Sequence, residues 1–402
     1  MSTAKNRRSR KRRWMQFSLR GLLALILVSA FAALWLRAKI DQARQERAVI
    51  QELGTTASIS VIYDDERYGT YDPDAPPRRS YAWLRGLLGD ELFNKPAVLS
   101  LPASQFNEET ALLIGQLESL RALHLPGTTG VVDPDAFAFL SGMHALEELR
   151  CDQQGLTEAH FAVLQQFSRL KVLRIGHGEY SAAAIQNLAK NCPHLEEFVI
   201  NGGTFGPQAQ QGLANLSALR RLEMRYCSFA DQDFSALEKL PLEEVDFSHS
   251  NVRDDSLKHV GKITTLQRLT LGYTPTTDAG LEHLKQLPNL RSIDLAYTRV
   301  TDAGCSDLAR LTAVEELALI ACLRVTDDGV AKLATLPKLR LLELNGTNVS
   351  AEARASLANS GVQFSATQSG LQGQRGLADF VQLMQAAQRQ AQTTEPSSAA
   401  DQ

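Results

Sequence analysis

The stretch "NLRSIDLAYTRVTDAG", residues 289–304, decides the fold of this chain. Its apolar residues Leu290, Ile293 and Leu295 are spaced three and two positions apart, and a Thr-Asp-Ala-Gly tetrapeptide follows them. Close relatives flank it: "TLQRLTLGYTPTTDAG" ends at residue 280, and "AVEELALIACLRVTDDG" ends at residue 329. The recurrence predicts an array of internal repeats rather than a globular domain with one core.

The apolar-x-x-apolar-x-apolar pattern recurs through two-thirds of the chain at steps of 23 to 26 residues. The alternating apolar residues predict a short strand in each unit. Thr277 or Thr301 then suits a helix N-cap without a capping box, and leucines at helical spacing follow. The eleven units begin at Pro96, Leu120, Leu146, Leu170, Leu195, Leu219, Leu242, Leu266, Leu290, Val314 and Leu339.

These units resemble the leucine-rich repeat, and "LALIACLRVTDDGVAKLA", residues 317–334, resembles its cysteine-containing, ribonuclease-inhibitor-like subtype. The resemblance implies an α/β solenoid that is curved, with parallel strands on the concave face and helices on the convex face. It also implies a macromolecular partner, which we expect to be a protein, and no catalysis. Through "RRWMQFSLRGLL" and "SYAWLRGLLGDELF" the chain is also similar to bacterial signal-anchored leucine-rich-repeat proteins.

The amino terminus is strongly basic and precedes an apolar run. Residues 1–20 carry eight Lys or Arg and no acid, which leaves 34 bases and 45 acids, a net charge of −11, in the rest. The run from Gly21 to Leu36 predicts a single-pass signal anchor that keeps the amino terminus cytoplasmic and exports the repeats. A secretory signal cleaved near Ala32 is the alternative. The basic residues are accounted for by the cytoplasmic side of the predicted membrane anchor, so we do not predict nucleic-acid binding.

These patterns divide the chain into six segments. Within the second and third of them we expect a helix that ends at Gly54 and a strand in "ASISVIYDD", residues 57–65. The fourth would cover the exposed core of the first repeat. The segments are a basic cytoplasmic tail (1–13), a transmembrane signal-anchor helix (14–37), a juxtamembrane helix and strand linker (38–79), a capping helix (80–95), the solenoid (96–365) and a low-complexity, disordered tail (366–402).

The five cysteines are predicted to be buried thiols rather than disulfides. Cys227 and Cys322 occupy the same repeat position but lie four repeats apart, about 19 Å at the usual strand spacing, beyond the ~7 Å limit for a disulfide. Elsewhere this position is mostly Ser or Thr, which we expect to hydrogen-bond the backbone of the turn after each strand. Gly178 and Gly203 cannot do so, and they predict locally irregular repeats.

Catalytic signatures cannot be singled out in this sequence. It has no His-Glu-x-x-His motif and no phosphate-binding glycine loop with its lysine, and Cys192-Pro193-His194 is too isolated to predict a zinc site. We therefore predict a non-enzymatic protein without a cofactor or a metal.

Partner recognition is expected on the outward strand positions, which the repeat does not constrain. The residue before the Ser, Thr or Cys position is aromatic in four consecutive units: Tyr226, His249, Tyr273 and Tyr297. Tyrosine is favoured at binding hot spots, although such rings can also simply pack against one another. Beside this strip we predict a mixed-charge face formed by Arg174, Arg221, Glu223, Arg225, Asp246 and Asp294.

The sequence favours a membrane-anchored binding protein of the cell envelope. Two other hypotheses stay open: a substrate-recognition subunit for protein modification, analogous to F-box-associated arrays, and a purely structural envelope component. No F-box-like helical module precedes the repeats, and the predicted anchor directs them outward.

Overall fold

A computed structural model of the chain describes residues 19–63, 95–127, 130–151, 154–359 and 361–364. The predicted basic tail, residues 64–79 of the predicted linker, nearly all of the predicted capping helix 80–95 and the predicted disordered tail lie outside these ranges.

Short strands and helices alternate along the described residues, as the repeat pattern predicts. Short 3-10 turns replace or extend several of the helices. The elements are α1 (Leu19–Thr56), β1 (Ser60–Tyr63), β2 (Pro96–Ser100), α2 (Glu108–Ile114), β3 (Ala122–His124), β4 (Gly130–Val131), α3 (Pro134–Ala138), β5 (Glu148–Cys151), β6 (Gln154–Gly155), α4 (Glu158–Val163), β7 (Val172–Ile175), β8 (Gly178–Tyr180), α5 (Ala182–Asn191), β9 (Glu197–Phe205), α6 (Pro207–Gly212), β10 (Arg221–Phe229), β11 (Glu244–Asp246), α7 (Asp254–Val260), β12 (Arg268–Thr270), α8 (Asp278–Leu284), β13 (Ser292–Asp294), α9 (Asp302–Leu308), β14 (Glu316–Ala318), α10 (Asp327–Leu333), β15 (Leu341–Glu343) and α11 (Ala351–Asn359).

One strand from each of the eleven units joins a single parallel ladder. Ser292 pairs with Arg268 in the preceding unit and with Glu316 in the next, and the same register continues from β2 to β15. The pairing steps equal the spacing of the sequence pattern. This confirms the predicted solenoid, in which the strands line the concave face and the helices the convex face.

The Thr, Asp and Gly residues of the Thr-Asp-Ala-Gly tetrapeptide have distinct roles. Thr301 caps α9 by accepting a hydrogen bond from the Ala303 amide at 3.2 Å. The carboxylate of Asp278, in the preceding repeat, accepts hydrogen bonds from the Thr301 amide at 2.8 Å and from its hydroxyl at 2.6 Å. A Cβ atom on Gly304 would collide with that carboxylate. The motif therefore caps its own helix and also joins neighbouring repeats.

Apolar side chains of every unit meet in one continuous core. Ile293 and Leu295 point inward from β13 and are at most 1% exposed. Leu281, Leu284 and Leu287 cover them from the helical side and are at most 3% exposed. The core cluster extends from Val49 in α1 to Val362 near the end of the described chain. No single unit could bury both of its apolar faces, so stability depends on stacking.

The amino-terminal end of this core is covered by α1 and β1. Val49 and Leu53 of α1 are buried and belong to the core cluster. The buried Glu46 carboxylate accepts hydrogen bonds from the Ser119 amide at 3.0 Å and from its hydroxyl at 2.6 Å. The predicted end at Gly54 is wrong, because α1 continues to Thr56 with Leu53 fixed against the core. The strand predicted in "ASISVIYDD" is confirmed as β1, which pairs antiparallel with β2.

The repeats around Gly178 and Gly203 are irregular, as predicted. Strands β9 and β10 are nine residues long, and the second half of β9 pairs with β8 instead of β7. Tyr180, Phe205 and Phe229 fill the widened region with ring centroids 5.2 and 5.7 Å apart. At the carboxyl-terminal end, one isolated bridge between Leu341 and Gln363 follows the last strand of the ladder.

The cysteine prediction is also confirmed. All five cysteines lie in the described part of the chain, where each is a buried thiol outside any disulfide. Burial raises the pKa of Cys192, Cys227 and Cys305 to about 12 in each case. The neutral thiol is therefore the stable form of these side chains at physiological pH.

Candidate functional site

The predicted aromatic strip occupies a turn with unusual backbone geometry. Tyr226, His249, Tyr273 and Tyr297 have φ between 54° and 59°, in the left-handed region that non-glycine residues rarely adopt. This conformation lets each amide bond to the following repeat. The Tyr273 amide donates to Ala296 O at 2.8 Å, and the Tyr297 amide donates to Ile320 O at 2.7 Å. At His249, Tyr273 and Tyr297 the turn thus continues the inter-repeat ladder beyond the ends of the strands, whereas Tyr226 lies within β10.

A Ser or Thr follows three of the four aromatic residues, all but Tyr226, and its hydroxyl holds the turn together. The hydroxyl of Thr274 donates to Leu271 O at 2.6 Å, and that of Thr298 donates to Leu295 O at 2.7 Å. Cys322 occupies the same repeat position, and its Sγ atom donates instead to Leu295 O of the preceding repeat at 3.2 Å. These bonds confirm the predicted role of this position in satisfying the turn backbone.

The four aromatic rings form one stack, which we call the aromatic strip. The ring centroids of Tyr226 and His249 are 4.4 Å apart, and those of the next two pairs, His249–Tyr273 and Tyr273–Tyr297, are 4.1 Å apart. The interplanar angles are 14° to 18°, so the rings are nearly parallel. The strip is therefore a continuous column of rings that runs in the direction in which the repeats stack, with the ring faces covering one another.

Exposure changes steeply along the aromatic strip. Tyr226 is 58% exposed, whereas Tyr297 at the other end is 9% exposed. Burial, with a hydrogen bond to Tyr297, raises the pKa of Tyr273, and burial lowers the pKa of His249. His249 is therefore neutral at physiological pH. The exposed end lies next to Gly202, whose missing side chain leaves room for the His177 ring.

Charged side chains beside the strip form a network centred on Arg225. Its guanidinium binds the Asp246 carboxylate with an Nε–Oδ2 distance of 2.5 Å and the nearly buried Glu223 carboxylate at 2.9 Å. Arg221 binds Glu223 as well, and it reaches Glu244 at 3.4 Å. The structure thus brings four of the six predicted charged residues into contact. Arg174 lies outside this network and pairs with Glu197 at 2.8 Å.

Asp294, the sixth predicted charged residue, differs from the others. Its Oδ1 atom accepts a hydrogen bond from the Ala296 amide at 2.8 Å, and no cation pairs with it among the described residues. Burial raises its pKa, and the charges of Asp246 and Glu343 raise it further. Asp294 lines a depression of about 560 Å³ together with Arg225, Asp246 and Tyr273. Reasoning from the sequence missed this contrast between two similar aspartates.

Catalytic chemistry is not suggested by the groups that converge here. Within the described ranges, no set of three or more His, Cys, Asp or Glu side chains is arranged to hold a metal ion. The depression instead combines tyrosine rings with Arg225, and tyrosine and arginine are enriched at protein interfaces.

Comparisons with known proteins agree with this architecture. The family described as "Leucine Rich repeat" matches residues 286–309, which span one unit. No curated protein matches the sequence significantly. With the shared register and the continuous core, this match shows that the chain has the leucine-rich-repeat fold.

Solved structures of similar shape include a chain of the Rad7 and Elc1 complex from yeast, with 18% identity and a TM-score of 0.51. The match covers 88% of this chain and 99% of the yeast chain. An internalin, InlF, from Listeria monocytogenes has 18% identity and a TM-score of 0.47, covering 63% of this chain and 82% of its own. A Leptospira interrogans leucine-rich-repeat protein has 15% identity and a TM-score of 0.39, covering 63% and 74%. At these identities the likeness concerns the fold alone.

Proposed function

We propose that this protein is a membrane-anchored, exported leucine-rich-repeat protein that binds another protein through its concave face and catalyses no reaction. The observation that carries the proposal is the aromatic strip, whose exposed end at Tyr226 borders the depression on that face. A large exposed ring beside fixed charges has the composition of an interface hot spot.

The amino-terminal half of α1 supports membrane anchoring. It is the one helix among the described residues with the length and hydropathy of a membrane span. Phe31 is 78% exposed and Val28 is 68% exposed, which is costly in water but favourable in lipid. Residues 37–41, about 8 Å of helix, separate this stretch from the part of α1 that contacts the first repeat. In this proposal the solenoid is held close to the membrane surface.

Site-specific photo-crosslinking tests the binding face. A benzoylphenylalanine replaces Tyr226 in the full-length protein, expressed in its own cells, and a matched variant carries it at Leu112. Leu112 is 51% exposed on a helix of the convex face, so both probes are accessible. We expect a discrete protein adduct from position 226 alone. Equal adducts from both positions, or none from either, would contradict recognition by the concave face.

Membrane anchoring needs a separate test. After cell fractionation, we expect the uncleaved chain in the membrane pellet after alkaline extraction, with the repeats accessible to protease added from outside. A cytosolic pool of full-length protein would contradict this topology. A shortened chain in the medium would instead identify the helix as a cleaved secretory signal.

A further inference from the structure

Two aspartates occupy equivalent positions on the concave face, two strands apart. Asp246 ends β11 and Asp294 ends β13, and both align with Thr270 of the strand between them. Each carboxylate accepts a hydrogen bond at 2.8 Å from the amide two residues ahead, in Ser248 and Ala296 respectively. The backbone therefore presents the two carboxylates in the same way.

Their surroundings differ in one side chain. Asp246 is neutralised by Arg225, which belongs to the preceding repeat. At the equivalent position before Asp294, the chain has Gly272. A Cβ atom built on Gly272 would lie 3.7 and 3.8 Å from the two carboxylate oxygens of Asp294. The space that an arginine stem fills beside Asp246 is thus open beside Asp294.

Small residues leave this space accessible. Thr270, Gly272 and Ala296 line the same depression as Asp294, and Tyr273 follows directly after Gly272. Among the described residues, no Lys or Arg forms an ion pair with Asp294. A half-buried carboxylate without a cation is costly in isolation, and the cost is offset when a cation binds.

We propose that Asp294 receives an arginine side chain from the partner protein, with the guanidinium beside Gly272 in the position that Arg225 takes beside Asp246. Arg225 shows that this geometry allows a guanidinium to use its Nε atom on the aspartate. The Tyr273 ring lines the same depression, and both of its faces are already covered by the stacked His249 and Tyr297 rings. This inference rests on the proposed function, because it specifies the chemistry of the partner that binds the concave face.

An immobilised library of short peptides tests the inference with the full-length protein in detergent. Each peptide has Arg, its uncharged isostere citrulline, Lys or Glu at the centre, with randomised flanks. The variants are Asp294→Asn, which removes the charge, and Gly272→Arg, which fills the space from within the chain. Glu316→Gln is the matched control, because it removes the same charge from an exposed position of the same face, outside the depression.

We expect the wild-type chain and Glu316→Gln to select Arg over citrulline at the centre. Asp294→Asn and Gly272→Arg should lose that preference, with binding about 10- to 100-fold weaker, as for one lost charge-assisted hydrogen bond. Peptides that bind without preferring Arg, but are lost on Tyr226→Ala, would overturn this inference while leaving the concave face as the binding site. Binding that no concave-face substitution changes would overturn both. Circular dichroism and thermal unfolding show whether each variant is folded.

Discussion

The contrast between Asp246 and Asp294 predicts that the same substitution has opposite effects at two equivalent positions. Asp246→Asn removes the partner of Arg225 and leaves that guanidinium with Glu223 alone. Asp294→Asn removes a charge that no described cation compensates, while the amide oxygen of asparagine can still accept the hydrogen bond from Ala296. We therefore expect Asp246→Asn to lower the free energy of unfolding at pH 7 and Asp294→Asn to raise it.

The magnitude for Asp246 follows from its exposure. Breaking a fully buried ion pair costs about 3–5 kcal/mol, and an exposed pair contributes about 0–1 kcal/mol. The Asp246 side chain is 7% exposed but Arg225 is 41% exposed and keeps Glu223 as a partner. A loss of about 1–2 kcal/mol is thus expected, which lowers the unfolding temperature by about 1–3 °C in a chain of this size.

The pH dependence of the Asp294 effect provides a second measurement. Its pKa in the folded chain is raised by burial and by the charges of Asp246 and Glu343. The resulting stabilisation of the wild type is complete below the pKa of an unfolded aspartate, about 3.9, and is lost as pH rises through the folded-state pKa. The advantage of Asp294→Asn should therefore be largest at neutral pH and disappear in acid. Near-UV circular dichroism in urea can follow both variants. Equal destabilisation by the two substitutions would refute the argument.

Three further predictions concern the strip, the repeat motif and the thiols. Tyr273→Ala should lower the free energy of unfolding by about 1–3 kcal/mol, because it removes two stacked ring pairs. Tyr226→Ala should lower it by about half as much, because it removes one pair. Urea unfolding measures both changes. Asp278→Ala should cost about 1–2 kcal/mol and accelerate hydrogen exchange at the Thr301 amide, which loses its acceptor; unchanged exchange would contradict this role. The five buried thiols should not react with a disulfide reagent at pH 8 until the chain is unfolded, since burial raises the pKa of at least three of them to about 12; rapid labelling of the native protein would contradict the burial.

The repeat architecture could be predicted because it depends on spacing alone. The spacing of 23 to 26 residues between paired strands follows directly from the positions of apolar residues such as Leu290 and Ile293. The role of Thr301 as a helix cap also follows from a local rule. The bond from Asp278 to Thr301 does not, because it joins two repeats and depends on how closely their helices approach. Gly304 was an indirect sign of this close approach, because a glycine follows the threonine at the same distance in neighbouring repeats.

The composition of the candidate site was predictable, whereas its internal differences were not. Because Tyr226 and Tyr297 occupy the same position in their repeats, their rings could be predicted to lie on one strip. Their exposed fractions of 58% and 9%, however, depend on neighbouring side chains. The left-handed turn was indicated by Gly202 and Gly346, which occupy the same repeat position with positive φ. The glycine at position 272 leaves open the space beside Asp294. This consequence becomes apparent only in the structure, where Arg225 fills the equivalent space beside Asp246.

Energetic considerations favour recognition over packing as the role of the aromatic strip. A non-glycine residue in the left-handed region costs roughly 1–2 kcal/mol, and glycine at positions 202 and 346 shows that the repeat can avoid this cost. Three stacked ring pairs return about 0.5–1.5 kcal/mol each, which does no more than offset the strain of four such residues. The uncompensated Asp294 carboxylate lies in the same depression and lowers stability further. Features that add little or no stability yet cluster at one exposed place are expected where a partner binds.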